Sequence, residues 1–236
     1  MTEVPAQGAS EKPGLKSLGI FSTGSFAAKR PLSQSEYTEY KANCSRLNNF
    51  ATEQGLFIMV RLNQEEYKSA VQRYRKSFVK GEIHAQEQLQ RVFVDMNRRL
   101  MNVLSSARMF LDHTETALKK NAADLKLKRF KMACSKHFDG SFPYRFLYKL
   151  RNYSQHCGLP AGSFTTSKRL PHANATKEEA IIEFGLQLDR DSLLSTYDSW
   201  GQPLTSELQQ RPARFEIDPL LDEFMASIGA INNELI

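Results

Sequence analysis

Apolar residues recur every three or four positions over residues 89–111, which is the spacing of one face of an α-helix. The other positions of this segment are rich in arginine and polar residues, so the pattern predicts a long helix with one side in the core. The apolar positions are Leu89, Val92, Phe93, Met96, Leu100, Val103, Leu104, Ala107 and Leu111.

Two interpretations are open for the apolar run 56–62, which fits either a short strand or a turn of buried helix. Asn63 and Glu66 then have the spacing of a capping box, which predicts the start of a helix. That helix ends at Gly81, and its apolar face consists of Tyr67, Ala70, Val71, Tyr74 and Phe78.

Two more helices follow the long one. A basic helix is predicted over about residues 122–137, and an amphipathic helix begins near Pro143 and ends before Gly158 and Pro160. Several helices joined by short links are typical of a bundle.

Residues beyond 160 change from a helical period to a period of two. Ile182, Phe184, Leu186 and Leu188 alternate with polar or small residues, which predicts a half-buried strand, with residues 162–170 as its hairpin partner. Asp218-Pro219 indicates an N-cap and first turn of a last helix. Its apolar stripe, covered by the domain or by a second subunit, is Leu221, Phe224, Met225, Ile228, Ile231 and Leu235.

The expected fold class is mainly α, a helical bundle with a small antiparallel β-sheet or hairpin in the C-terminal part. Residues 1–30 hold glycine, proline and serine with little apolar periodicity, so they are predicted to be a disordered tail. Residues 31–160 form the predicted bundle, and residues 161–236 pack on the same domain.

The motif Arg151-Asn152-x-x-x-His156 places a guanidinium, an amide and an imidazole at the end of one helix. Asn152 and His156 are four residues apart and therefore share a face, and the long Arg151 side chain can swing back over it. An arginine can bind phosphate with two hydrogen bonds while a histidine transfers a proton. The negative end of the helix dipole favours a protonated His156, as a general acid requires.

The motif resembles the signature of the HEPN superfamily, whose catalytic members are metal-independent ribonucleases. The resemblance implies a HEPN-like bundle and a homodimer that apposes two copies of the motif. It also implies attack of the ribose 2′-hydroxyl on the adjacent phosphate, leaving a 2′,3′-cyclic phosphate. In these terms Arg151 stabilises the transition state, Asn152 orients it, and His156 is the acid or base.

A second Arg-x4-His, Arg108 to His113, lies inside the long helix and is interpreted as a decoy or as a neighbour of the site. The structural alternative for Arg151 and His156 themselves is a solvated helix end with a capping histidine.

Charge is distributed unevenly over a chain of net charge +6. Residues 119–151 hold ten Lys and Arg against two Asp, whereas residues 176–236 hold twelve acidic against four basic residues. The basic stretch is interleaved with aromatic residues, which is typical of RNA binding, although lysines that solvate amphipathic helices give the same pattern. The predicted substrate-binding residues are Lys128, Arg129, Lys131, Arg145, Tyr148 and Lys149.

The sequence predicts no membrane partner, because it has no apolar run of 18 residues, and its start lacks the pattern of a secretory signal. Three cysteines give no disulfide framework, so the cytoplasm is the expected location. The cysteines and histidines lack zinc-ligand spacing, and no metal or cofactor is predicted.

Two functions are consistent with these features. The first is a metal-independent endoribonuclease, acting as a toxin or phage-defence effector with an antitoxin or another protein partner. The second is a catalytically inactive HEPN-like module that binds RNA, a nucleotide or an acidic protein.

Overall fold

The computed structural model describes residues 16–22, 24–169 and 181–235. The chain separates into two compact units, Met1–Thr52 and Glu53–Ile236. It is mainly α-helical with a small antiparallel sheet in the C-terminal part, which confirms the predicted fold class.

The first unit contains an antiparallel hairpin of β1 (Ser17–Ser22) and β2 (Ser25–Pro31), followed by the start of helix α1. The prediction of a disordered tail over residues 1–30 is therefore wrong for the hairpin, while residues 1–15 lie outside the described part. Leu18 and Ile20, two apolar residues of β1, are exposed, so they do not form the buried face from which a sequence pattern reveals a strand. The hairpin contacts the start of α1 through an ion pair of 2.8 Å between Arg30 and Glu36.

Helix α1 (Gln34–Val79) runs without a break through the apolar run 56–62. The helical interpretation of that run is confirmed, and the strand is excluded. Asn63 and Glu66 lie inside the helix and do not cap it. A capping box does occur at the real start, where Ser33 and Glu36 each accept a hydrogen bond from the backbone N–H of the other. The helix ends before Gly81, which has φ +68°.

In the second unit, helix α2 (Gln86–Lys120) buries the predicted apolar face. It is followed by α3 (Asp124–Gly140) and α4 (Phe142–His156), as expected. Helices α2 and α4 run antiparallel, since Arg108 lies over Tyr148 while Asn97 contacts the chain after α4. The buried Asn97 accepts a hydrogen bond of 2.9 Å from the backbone N–H of Ala161.

The predicted hairpin after residue 160 is confirmed as β3 (Ser163–Arg169) and β4 (Ile181–Asp189), with Phe164 opposite Leu186. A third strand that was not predicted, β5 (Arg214–Glu216), pairs with the other edge of β4. Two short helices, α5 (Arg190–Thr196) and α6 (Leu204–Gln209), lie between β4 and β5 in the chain.

The last helix, α7 (Asp218–Asn233), has its apolar stripe buried within the second unit, so the domain itself covers it. The predicted capping role of Asp218 is wrong, because Ile217 occupies the cap position. The carboxylate of Asp218 instead accepts a hydrogen bond of 2.5 Å from the hydroxyl of Tyr67 in α1. Burial raises the pKa of Asp218.

Asp95 joins α1 to α2 through a cluster of four donors. Its carboxylate accepts hydrogen bonds from the Tyr74 hydroxyl at 2.9 Å, Arg99 at 2.9 Å and Arg98 at 2.6 Å, and Arg73 lies 3.5 Å away. Burial opposes ionisation of this carboxyl, but the hydrogen bonds from Arg99, Arg98 and Tyr74 outweigh it and lower the pKa of Asp95 to about 2.

Asp95→Asn should reduce the free energy of unfolding at pH 7 by about 1 kcal/mol, after allowance for screening of this partly exposed cluster. A carboxyl with a lowered folded-state pKa stabilises the fold above its ordinary pKa of 3.8 and loses that effect as the pH falls to about 2. Urea denaturation at pH 7 and at pH 2.5 should therefore show a difference between variant and wild type that shrinks in acid.

The control is Glu87→Gln, which removes a 76% exposed carboxylate paired with Arg91 on the same helix. It should change stability by less than about 0.5 kcal/mol at either pH. An Asp95→Asn difference that stayed constant with pH would contradict the assigned charge cluster.

Candidate functional site

The last two turns of α4 carry the motif on their partly exposed side, while Tyr153 in the same turns stays buried. The helix begins with the Ser141 side chain accepting a hydrogen bond of 3.3 Å from the backbone N–H of Tyr144. Phe146, Leu147 and Leu150 are then fully buried. Residues 151, 152 and 154 are half-buried, and residues 155 and 156 are exposed. The core therefore fixes the helix axis while the motif reaches the surface.

Arg151 is half-buried and lacks a carboxylate partner within the described residues. One terminal nitrogen, Nη1, donates a hydrogen bond to the side-chain oxygen of Gln155, one turn further along the helix. Its Nε is buried and has no partner in the same part of the chain. The guanidinium is thus held towards the last turn with donors unused, although a buried donor without a partner costs free energy.

Asn152 and His156 lie one turn apart on a common face, as predicted. Neither side chain makes a hydrogen bond to any other described residue. Arg151, however, precedes His156 by five residues, which separates them by roughly 140° around the helix. Arg151 contacts Gln155 and does not swing back over the face of Asn152 and His156, so within one chain the guanidinium and the imidazole flank the helix end.

Arg108 on α2 lies beside the site. Its guanidinium carbon is 4.5 Å from the centroid of the Tyr148 ring, and its Nε donates to Asp112 at 2.7 Å. Because α2 and α4 are antiparallel, His113 lies towards the start of α4, away from His156. The second Arg-x4-His therefore contributes its arginine as a neighbour of the motif, and its histidine lies elsewhere.

The ring of Tyr148, a predicted substrate-binding residue, is already in contact with two other side chains. Phe138 packs against the ring edge-on at 5.9 Å, and Arg108 covers it. Lys149 donates a hydrogen bond of 3.4 Å to the carbonyl of Ser199.

Arg145 departs furthest from its predicted role in substrate binding, because it is only 4% exposed. Its guanidinium donates to both carboxylate oxygens of Glu207 on α6, at 3.2 and 2.6 Å, and to the carbonyl of Phe138. A buried guanidinium with these partners links α4 to α6 and is not available to a ligand.

The lysines and arginine predicted on α3 are exposed, but the basic surface is not continuous. Lys131 lies 3.4 Å from Glu115, which also pairs with Lys119 at 2.8 Å. Lys128 and Lys131 line a groove on the outer side of α3, whereas Arg129 lines a second groove between α3 and α7. The charge of Lys131 is thus partly offset by Glu115 of α2.

No group of three or more His, Cys, Asp or Glu side chains within the described residues is arranged to hold a metal ion. Cys134 is largely enclosed beside Tyr144, and burial raises the pKa of its thiol to about 11. None of the helices in the described ranges is long and apolar enough to cross a membrane.

No protein-family model matches the chain, and no curated protein or solved structure matches it either. The HEPN resemblance therefore depends on the motif residues and on their place at the end of a bundle helix.

Arg145→Gln should reduce the free energy of unfolding by about 3 kcal/mol, because it leaves the Glu207 carboxylate without its buried partner. Lys149→Gln, four residues further along α4, should change it by less than about 0.5 kcal/mol. Urea denaturation measures both changes in stability.

The RNA affinity of folded Arg145→Gln, measured at low temperature, should stay within about twofold of wild type. Unchanged stability together with weakened RNA binding would show that Arg145 is a ligand contact after all.

Proposed function

We infer that this protein is a metal-independent endoribonuclease of HEPN type, which acts in the cytoplasm as a homodimer. The reaction is attack of a ribose 2′-hydroxyl on the adjacent phosphate, giving a 2′,3′-cyclic phosphate and a 5′-hydroxyl. Metal independence, this chemistry and a role as a toxin or phage-defence effector with an antitoxin or other protein partner come from the resemblance.

Arg151 carries this proposal. A half-buried guanidinium usually has a carboxylate partner, and Arg151 has none within the described residues. Its Nε has no hydrogen-bond partner there, and its Nη1 contacts a neutral amide. An anion of the substrate would supply the missing charge, and a phosphate fits the planar fork of donors.

His156 and Asn152 supply the remaining groups. The exposed imidazole stands in the last turn of α4, where it can reach a ligand at the helix end. It would protonate the leaving 5′-oxygen or accept the 2′-hydroxyl proton, while the Asn152 amide would orient the phosphate.

The angle of about 140° between Arg151 and His156 favours a dimeric site. Two motifs related by a two-fold axis can place the imidazole of one protomer opposite the guanidinium of its partner. Each phosphate would then lie between groups from both chains.

His156→Ala should lower the rate of RNA cleavage by at least ~100-fold, since a general acid or base contributes about that much. The assay uses end-labelled total RNA and tRNA with EDTA present, and it reads the product ends for cyclic phosphate. His113→Ala is the matched control, because it removes an exposed histidine from the other Arg-x4-His. Cleavage by His156→Ala at the wild-type rate would reject the proposal.

Two features of the motif favour a second function, that of an RNA-binding module without catalysis. Within one chain Arg151 and His156 point to different sides of α4, and Gln155 engages part of the guanidinium. If the motif does not cleave, the exposed cations of α3 become the main contact with RNA.

In that case, reversing three charges on α3 should weaken RNA binding by about 100-fold at low salt and lower the slope of log affinity against log salt by about 2. The variant is Lys128→Glu, Arg129→Glu and Lys131→Glu together, measured by fluorescence anisotropy.

The control reverses three exposed charges elsewhere: Lys41, Arg46 and Arg91. If both triple variants lose the same affinity, the effect is one of net charge and α3 is not the binding surface.

A further inference from the structure

Tyr148 on α4 contacts an arginine from α2 and is followed one turn later by an arginine of its own helix. Arg108 of α2 covers the ring, with 4.5 Å between its guanidinium carbon and the ring centroid. Arg151 follows Tyr148 by three residues on α4, so the two side chains are neighbours on that helix surface, with Cβ atoms about 5–6 Å apart. Arg108 therefore covers the ring one turn before Arg151 on α4, while the Arg151 guanidinium contacts Gln155 in the last turn.

Both guanidinia have unused donors. Arg108 is 28% exposed, and its Nε donates to Asp112, whereas its terminal nitrogens have no partner within the described residues. Arg151 uses Nη1 on Gln155 and has no partner for Nε in the same part of the chain. Each side chain can thus form further charge-assisted hydrogen bonds to an anion.

The surroundings of Arg108 hold it in position before any ligand binds. Asp112 accepts a hydrogen bond from Nε, and the guanidinium lies over the Tyr148 ring, so two contacts restrain the side chain. Immobilising a long side chain in advance lowers the entropy lost on binding. The lysines of α3 lack this arrangement, and Lys131 shares Glu115 with Lys119.

We propose that Arg108 and Arg151 bind neighbouring phosphates of a single RNA strand that crosses from α2 to α4. Arg151 binds the phosphate at the motif, and Arg108 is a substrate-binding residue for the next one. This proposal depends on RNA being the ligand of the proposed function, and it adds a contact on α2 that the motif does not contain.

The test measures binding without cleavage, in the full chain carrying His156→Ala. The probe is a fluorescein-labelled, 12-nucleotide single-stranded RNA of mixed sequence, and its affinity is followed by anisotropy from 50 to 200 mM NaCl. Adding Arg108→Gln should weaken binding ~10-fold at 100 mM NaCl and lower the salt slope by about 0.7, the value for one phosphate contact on a single strand.

Arg91→Gln is the matched control, because Arg91 also lies on α2, is 79% exposed and pairs with a carboxylate one turn away. It should leave affinity and slope within error of the parent. Arg108→Lys should keep the slope, since the charge remains, and lose part of the affinity with the planar fork. Thermal melts establish that each variant is folded under the assay conditions.

Equal affinity and slope for Arg108→Gln and Arg91→Gln would overturn the proposed phosphate contact of Arg108, as would a parent chain that does not bind the RNA. Its failure is distinguishable from that of the nuclease. If wild type does not cleave but Arg108→Gln lowers the slope, the phosphate contact of Arg108 stands without the nuclease. If wild type cleaves and Arg108→Gln behaves as Arg91→Gln, only the nuclease stands.

Discussion

The enclosure of α4 is the constraint on which the arrangement of the second unit depends. Helices α2, α3, α6 and α7 all pack against it. Its Phe146 and Tyr153 rings stack on Trp200, with centroids 5.7 and 5.9 Å apart. A helix held on so many sides has one permitted position, so the elements around it must conform to its axis. Its C-terminal end is partly exposed to solvent, and the polar residues of the motif lie there.

The helices α2 and α4 could be predicted from the sequence because their apolar residues recur at helical spacing. A run such as 56–62 shows the limit of that signal, because seven consecutive mostly apolar residues fit a strand as well as a helix until their tertiary partners are known. In the hairpin of residues 17–31, Leu18 and Ile20 are exposed, and strand β5 has three residues with one buried, which is too short to leave a pattern.

Side-chain roles were less predictable than elements, because they depend on partners far away in the sequence. Arg145 and Lys149 stand in the same basic stretch, yet only Arg145 meets a carboxylate in the core, 62 residues further along. Arg108 shows the reverse case. Its sequence context left open whether it was a decoy or a neighbour of the site, and the antiparallel packing of α2 on α4 places it next to the motif. The Arg151 contact with Gln155 follows the i,i+4 rule and could have been anticipated.

The hydrogen bond from the Ala161 backbone to Asn97 has a consequence for the end of α4. Helix ends usually fray, because their last carbonyls lack partners and the chain beyond them is free. Here the chain is tied down again five residues after His156, on a fully buried side chain of another helix. At the motif, the backbone is therefore held in place although the His156 side chain is exposed. The histidine is solvated like a loop residue, but its main chain lost its conformational entropy when the core folded, and a ligand needs to immobilise only the ring.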